Sequence, residues 1–172
     1  MSVNNIVFST PWFSIVAKEI KNTQSPYYIM DATDCVSIIA MSKDKQVLLV
    51  RQYRPTMDIE TLELPSGHIE PGETPVQAAH RELLEETGYI AENLELLRVL
   101  VPETGRIGFK SWCYFASNVT WVKNPDTKEI LALIKCNQDK LLDYIKSGEI
   151  NNALDIAIIF LSIQNKKLSN LS

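Results

Sequence analysis

Three carboxylates fall within five residues, Glu82, Glu85 and Glu86, in the run Arg81-Glu82-Leu83-Leu84-Glu85-Glu86-Thr87-Gly88. On a helix Glu82 and Glu86 are neighbours on one face, with Glu85 close by. Like charges at that spacing destabilise a helix by roughly 0.2–0.5 kcal/mol per pair. A hard divalent cation reverses that penalty, because Mg²⁺ takes oxygen ligands and needs few protein carboxylates. The cluster reads as a metal site, and the competing reading is a solvated acidic helix face.

The helix that must carry these acids is legible on both sides. Thr74 is placed to be the N-cap, Pro75 suits the first helical position, and Gln77 completes a capping-box spacing with Thr74. Val76, Ala79 and Leu83 recur at helical spacing and are expected to face a core, and Gly88 is a natural left-handed stop. Upstream, Leu62-Glu63-Leu64-Pro65-Ser66-Gly67 ends a strand, and Gly67 and Gly72 permit a tight loop. The unit is therefore strand, glycine loop and capped helix.

In this register Gly67, five residues, Glu73, seven residues, Arg81-Glu82-Leu83, one residue, Glu85-Glu86, one residue and Gly88 resemble the signature box of the Nudix hydrolases. The final position, usually a small aliphatic residue, is Tyr89, which a buried tyrosine would fill. Val50-Arg51-Gln52-Tyr53-Arg54-Pro55, Glu63-Leu64-Pro65-Ser66-Gly67 and Leu141–Ile150 resemble the branch that cleaves ADP-ribose and nucleoside-diphosphate sugars.

That resemblance implies a Mg²⁺-dependent hydrolase, with Mn²⁺ as an alternative ion, that breaks a pyrophosphate bond to give a nucleoside monophosphate and a sugar phosphate. It makes Glu82 and Glu86 the main metal ligands, joined by Glu85 and by the Ser66 carbonyl. Arg81 would orient the acids, with Glu73 as its partner. Arg51 and Arg54 resemble substrate-contacting arginines, and the competing reading for both is surface pairing with Glu60 or Glu63. Glu63 is accordingly either a substrate contact or an arginine partner. Tyr28 is the base-stacking choice from Trp12, Phe13, Tyr27 and Tyr28. For the general base, Glu129 is favoured over Glu103 and Glu85, in a stretch whose other acid is Asp126. His68 and His80 receive no role. Two other functions stay open, cleansing of modified nucleoside triphosphates and a non-catalytic nucleotide-sugar sensor.

Composition agrees with a soluble enzyme. The chain has 172 residues with 45% hydrophobic and 22% charged residues, ordinary for one globular domain over 1–172. A net charge of −4 argues against nucleic acid as partner. No secretory signal or membrane span is expected, since the apolar run from Ala153 to Ile163 is short and contains Asp155. Cys35, Cys113 and Cys136 are odd in number and widely spaced, which predicts reduced buried thiols in a cytoplasmic protein.

Periodicity predicts an N-terminal β-hairpin from Trp12–Ile20 and Tyr27–Met30, and a second hairpin from Asp34–Met41 and Gln46–Gln52. Further strands are expected at Leu94–Val101, Ser111–Ser117 and Glu129–Cys136, and helices at Gln138–Lys146 and Asn152–Gln164. The expected class is α/β, a mixed sheet between helices, which suits the α/β/α sandwich that the resemblance implies. Residues 1–33 would form the N-terminal strands, 67–89 the box and 138–165 the C-terminal helices. The resemblance also implies a homodimer formed through the N-terminal strands.

Overall fold

A computed structural model describes residues 5–125 and 129–168. In chain order the elements are β1 (Asn5–Ser9), β2 (Phe13–Lys18), β3 (Tyr27–Ala32), β4 (Cys35–Ser42), β5 (Val47–Arg54), β6 (Ile59–Glu63) and β7 (Ser66–His68). They continue with α1 (Pro75–Thr87), β8 (Tyr89–Ile90), β9 (Glu95–Leu100), β10 (Ser111–Trp121), β11 (Ile130–Cys136), α2 (Gln138–Ser147) and α3 (Ala153–Gln164).

The centre is the parallel pair β4 and β10, in which Cys35 to Met41 lie opposite Ser111 to Ser117. Parallel pairs are normally covered on both faces, which is why Val36 to Met41 is one buried run rather than an alternating one. Each face has its own core. Val36, Ile38 and Ala40 pack against Ala78, Ala79 and Leu83 of α1. Ile39 and Met41 pack with Leu62 and Leu64 against Ile158 and Ile159 of α3. The result is the expected α/β/α sandwich around a mixed sheet.

Three expectations are corrected in detail. The predicted hairpin of β2 and β3 is present, but β1 adds a third antiparallel strand to it. The second hairpin is joined at a single pair, Met41 with Val47. Beyond that pair the strands diverge, β4 toward β10 and β7, and β5 toward β6 and β11. Val76 does not face the core but is 39% exposed. The apolar face of α1 is carried by Ala78, Ala79 and Leu83, whose small residues let the helix lie close to β4.

The α1 termini behave as the residues dictate. The Gln77 N–H donates to Thr74 Oγ1, and the Thr74 N–H donates to Gln77 Oε1 at 2.8 Å. Gly88 stops the helix at φ +73°, and a Cβ there would meet the Lys123 carbonyl at 1.8 Å, so no larger residue fits. Tyr89 is buried as expected, with the Lys135 ammonium 5.2 Å from its ring centre.

The N-terminal sheet is tied to the rest through the loop after β9. The Met30 N–H donates to the Arg106 carbonyl, and the Gly108 N–H donates to the Met30 carbonyl, both at 2.8 Å. Arg106 also lies 4.2 Å over the Tyr27 ring and donates to the Tyr28 carbonyl. Among the described residues the three cysteines are free, two buried and Cys35 half-buried, and no helix is long and apolar enough to cross a membrane.

Candidate functional site

The acids of α1 and the glycine loop before it meet through Arg81. Its Nε and Nη2 donate to the two oxygens of Glu73 at 3.0 Å each. Nη1 donates to Glu82 at 2.7 Å and to Glu85 at 3.3 Å, and Nη2 also reaches the His68 carbonyl at 2.9 Å. The bidentate bonds to Glu73 and the charge of Glu82 hold the guanidinium more firmly protonated than usual. Glu73 has a depressed pKa chiefly through the same bonds, and it also accepts the Glu70 N–H. One arginine thus closes the loop on the helix and aims two of its acids.

Glu82 and Glu86 differ from Glu73 in being desolvated. Burial pushes the Glu82 carboxyl up despite Arg81, and the charges of Glu85 and Glu73 add to the rise. Glu86 is 8% exposed, and burial, reinforced by the charge of Glu82, pushes it up to about 8 against the single N–H it accepts from Ser66 at 2.8 Å. A buried carboxyl in this setting calls for a cation or a proton. Among the described residues seven carboxyl groups and two guanidinium groups line the surrounding cavity of about 640 Å³, and the guanidiniums of Arg54 and Arg81 already hold Glu63 and Glu73. The donor set therefore fits a hard divalent ion. Among the described residues no three His, Cys, Asp or Glu side chains are already drawn around one point, since Glu82 is turned to Arg81 and Glu86 to Ser66.

The opposite wall is built on β5 and β6. Arg54 forks onto Glu63, with Nε to Oε1 at 2.8 Å and Nη2 to Oε2 at 2.6 Å. The Thr61 hydroxyl donates to Glu63 Oε1 at 2.6 Å, and the Gln52 amide Nε2 donates to Glu63 Oε2 at 3.4 Å. Burial alone would raise the Glu63 carboxyl, but Arg54 and Thr61 together bring it below its ordinary value. Glu63 is thus an arginine partner here, and Arg54 is held at the cavity edge.

The other expected site residues divide. Ser66 and Glu129 line the cavity with the acids. Arg51 instead pairs with Glu149 at 3.3 Å and is not among the lining residues. Tyr28 lies on the exposed N-terminal sheet away from the cavity, whereas Trp12, 71% exposed at the turn before β2, and Phe109 do line it. Glu103 is also outside, its carboxylate accepting the N–H groups of Gly105 and Arg106. Asp126 lies outside the described residues.

Asp155, which the sequence motifs do not mark, lines the cavity from the first turn of α3 and accepts the Leu64 N–H at 3.0 Å. Burial pushes its carboxyl up to about 7, and the charge of Glu63 adds to that. Its signal in the sequence is an acid inside an apolar run, three residues after the N-cap Asn152.

The NUDIX domain description matches residues 32–144. Over 151 residues the chain is 32% identical to the methanol dehydrogenase activator of Bacillus methanolicus, covering 85% of this chain and 82% of that protein. Over 121 residues it is 26% identical to the ADP-ribose pyrophosphatase of Bacillus subtilis (strain 168), covering 69% of this chain and 65% of that protein. A crystal structure of an ADP compounds hydrolase superimposes with a TM-score of 0.82 at 25% identity, over 97% of this chain and 94% of that one. The match spans the acid-bearing helix, the loop that Arg81 closes on it and both arms of the sheet, and it places this chain in the Nudix hydrolase family.

Proposed function

We propose that this enzyme hydrolyses the pyrophosphate bond of ADP-ribose or a related nucleoside-diphosphate sugar, with Mg²⁺ or Mn²⁺ bound by Glu82, Glu86, Glu85 and the Ser66 carbonyl. The observation that carries the reading is that one cavity holds the box acids on one wall and Arg54 with Trp12 around the rest. A diphosphate diester brings two negative charges into a site already rich in carboxylates, so it can bind there only with cations. When bound, the ion neutralises that charge and lowers the pKa of a coordinated water.

The chain's own residues supply orientation and proton transfer. Arg81 and Glu73 hold Glu82 and Glu85 in place. Arg54, fixed by Glu63, is set to meet a phosphate oxygen, and Trp12 offers an exposed ring on which a nucleobase can stack, a contact worth roughly 1–3 kcal/mol per base. Glu129 is the general base of this reading. Water oxygen adds to one phosphorus, the bridging P–O bond breaks, and the released proton passes to Glu129. The relatives named for ADP-ribose and ADP compounds support this substrate class. Exposed Ile6 and Phe8 on β1 support a homodimer through the N-terminal strands, and the thiols fit a cytoplasmic protein.

The test is a coupled phosphate-release screen with Mg²⁺ over ADP-ribose, UDP- and GDP-sugars, NADH, diadenosine polyphosphates and nucleoside triphosphates. Cleavage of a diphosphate sugar is expected. Turnover of triphosphates alone would move the chain to nucleotide cleansing, and silence from a folded protein that still binds ADP-ribose would make it a sensor.

A further inference from the structure

Leu64 and Pro65 lie between the end of β6 and the start of β7, where the chain crosses from one arm of the sheet to the other. The ladder of β6 ends with Val50 opposite Glu63, and that of β7 begins with Ser37 opposite Ser66. A buried N–H beyond a ladder needs a partner from elsewhere, and Pro65 has none to offer. Three successive residues are therefore held by three different elements. The Leu64 N–H donates to Asp155 Oδ2 of α3 at 3.0 Å, 91 residues away in sequence. The Pro65 carbonyl accepts the Ile38 N–H of β4 at 2.9 Å. The Ser66 N–H donates to Glu86 Oε2 of α1 at 2.8 Å.

Asp155 is 3% exposed, so its carboxyl is costly to bury and is tolerated at the α3 N-terminus, where helix N–H groups favour an acceptor. Leu64 itself is fully buried, so its backbone has little freedom to find another partner. We propose that Asp155 is a positioning residue for the metal-ligating acids: from α3 it sets the path of Leu64-Pro65-Ser66, and through the Ser66 N–H it sets the orientation of Glu86. The C-terminal helix is then part of the site's machinery and not only a lid on the core. This rests on the reading of Glu86 and the Ser66 carbonyl as metal ligands.

The test compares Asp155→Ala, which removes the acceptor, with Asp155→Asn, which keeps an oxygen for the Leu64 N–H. Mg²⁺ is titrated into each full-length protein while the amide resonances of Leu64 and Ser66 are followed, and kcat and KM are measured on ADP-ribose. Asp155→Ala should shift both resonances in the ion-free protein and weaken Mg²⁺ binding about tenfold or more, the usual cost of losing a supporting contact. Its kcat should fall with the Mg²⁺ affinity while KM stays within about twofold. Asp155→Asn should stay within about threefold of the parent in Mg²⁺ affinity.

A folded Asp155→Ala that binds Mg²⁺ like the parent overturns the proposal. If Asp155→Ala does not fold, Asp155→Asn decides: retained Mg²⁺ affinity supports positioning, and a loss as large as that of Glu86→Gln overturns it. A parent protein inactive on ADP-ribose would sink the substrate reading alone, and one that binds no Mg²⁺ would sink the metal reading. In either case the Ser66 resonance still reports whether Asp155 reaches Glu86.

Discussion

A Cβ built on Gly67 would stand 2.0 Å from Oε1 of Glu82. The carboxylate of the first acid on α1 packs directly on the bare Cα of the loop glycine, while Arg81 grips the same oxygen at 2.7 Å. Any side chain at position 67 must therefore push Glu82 off its place, because the guanidinium leaves it little room to yield.

Gly67→Ala is expected to separate activity from stability. The displaced neighbour is the end of a side chain rather than backbone, so the fold should lose about 1 kcal/mol or less, within the ordinary range of single substitutions. With Glu82 as a metal ligand, as proposed, kcat should fall about tenfold or more because that carboxylate is displaced. Thermal melting alongside a Mg²⁺-dependent rate curve checks this, and full activity with a lowered melting point would contradict it.

Arg54→Lys tests the forked contact. Lysine keeps the charge but cannot span both oxygens of Glu63, so the positive group is no longer held at the cavity edge. KM for the diphosphate substrate should rise about tenfold while kcat changes less, as expected when a charge-assisted bond worth about 1.5–3 kcal/mol is weakened. Glu63→Gln should produce a smaller KM change of the same sign. Steady-state kinetics on both variants decides the matter, and an unchanged KM for Arg54→Lys would remove Arg54 from the substrate site.

Glu129 and Glu103 make opposite predictions. Glu129 lines the cavity, whereas Glu103 is spent on its own loop, where the N–H groups of Arg106 and Gly105 depress its pKa and make it a poor base. Glu129→Gln should lower kcat by about 10²-fold or more, the scale of general-base assistance, and Glu103→Gln by about threefold at most. Single-turnover rates across pH would expose the reverse order if Glu103 were the base.

Stability should depend on pH in a way that the metal weakens. The folded protein holds a proton on Glu86 up to about 8 and on Asp155 up to about 7, while the unfolded chain releases both near their ordinary values of 4.5 and 3.8. Raised folded pKa values mean that the stabilising protonation is complete below about 4 and is lost as pH rises through 7 and 8. Glu63 has the opposite sign, and its contribution is lost only in acid, below its ordinary 4.5. The melting point of the metal-free protein should therefore fall between about pH 5 and 8.5. Saturating Mg²⁺ should remove the Glu86 part of that slope, because the ion replaces the proton on that acid, and leave the Asp155 part in place. Scanning fluorimetry with EDTA and with Mg²⁺ reads both, and identical slopes in the two series would argue against Glu86 as a ligand.

Much of the site was legible because its parts are close in sequence. The Thr74 and Gln77 cap, the Gly88 stop and the 82, 85, 86 spacing are local, and local rules of helix capping and periodicity are enough to place the acids together on α1. The pairing of Arg81 with Glu73 spans the N-cap and the first turns of α1 and follows from the same register. What lay beyond reach was set by long-range packing. Val76 has the right spacing to be buried, but the small face of Ala78 and Ala79 lies closer to β4 and turns Val76 outward. Arg51 and Arg54 look alike in sequence, yet three residues along a strand they project to opposite faces, one toward Glu149 and the other toward Glu63 in the cavity. Trp12 rather than Tyr28 reaches the cavity because the loop from Glu103 to Gly108 fixes the N-terminal sheet against the body. Asp155 meets Leu64 across 91 residues, and only folding α3 over the crossover of the two sheet arms could bring that acid to the site.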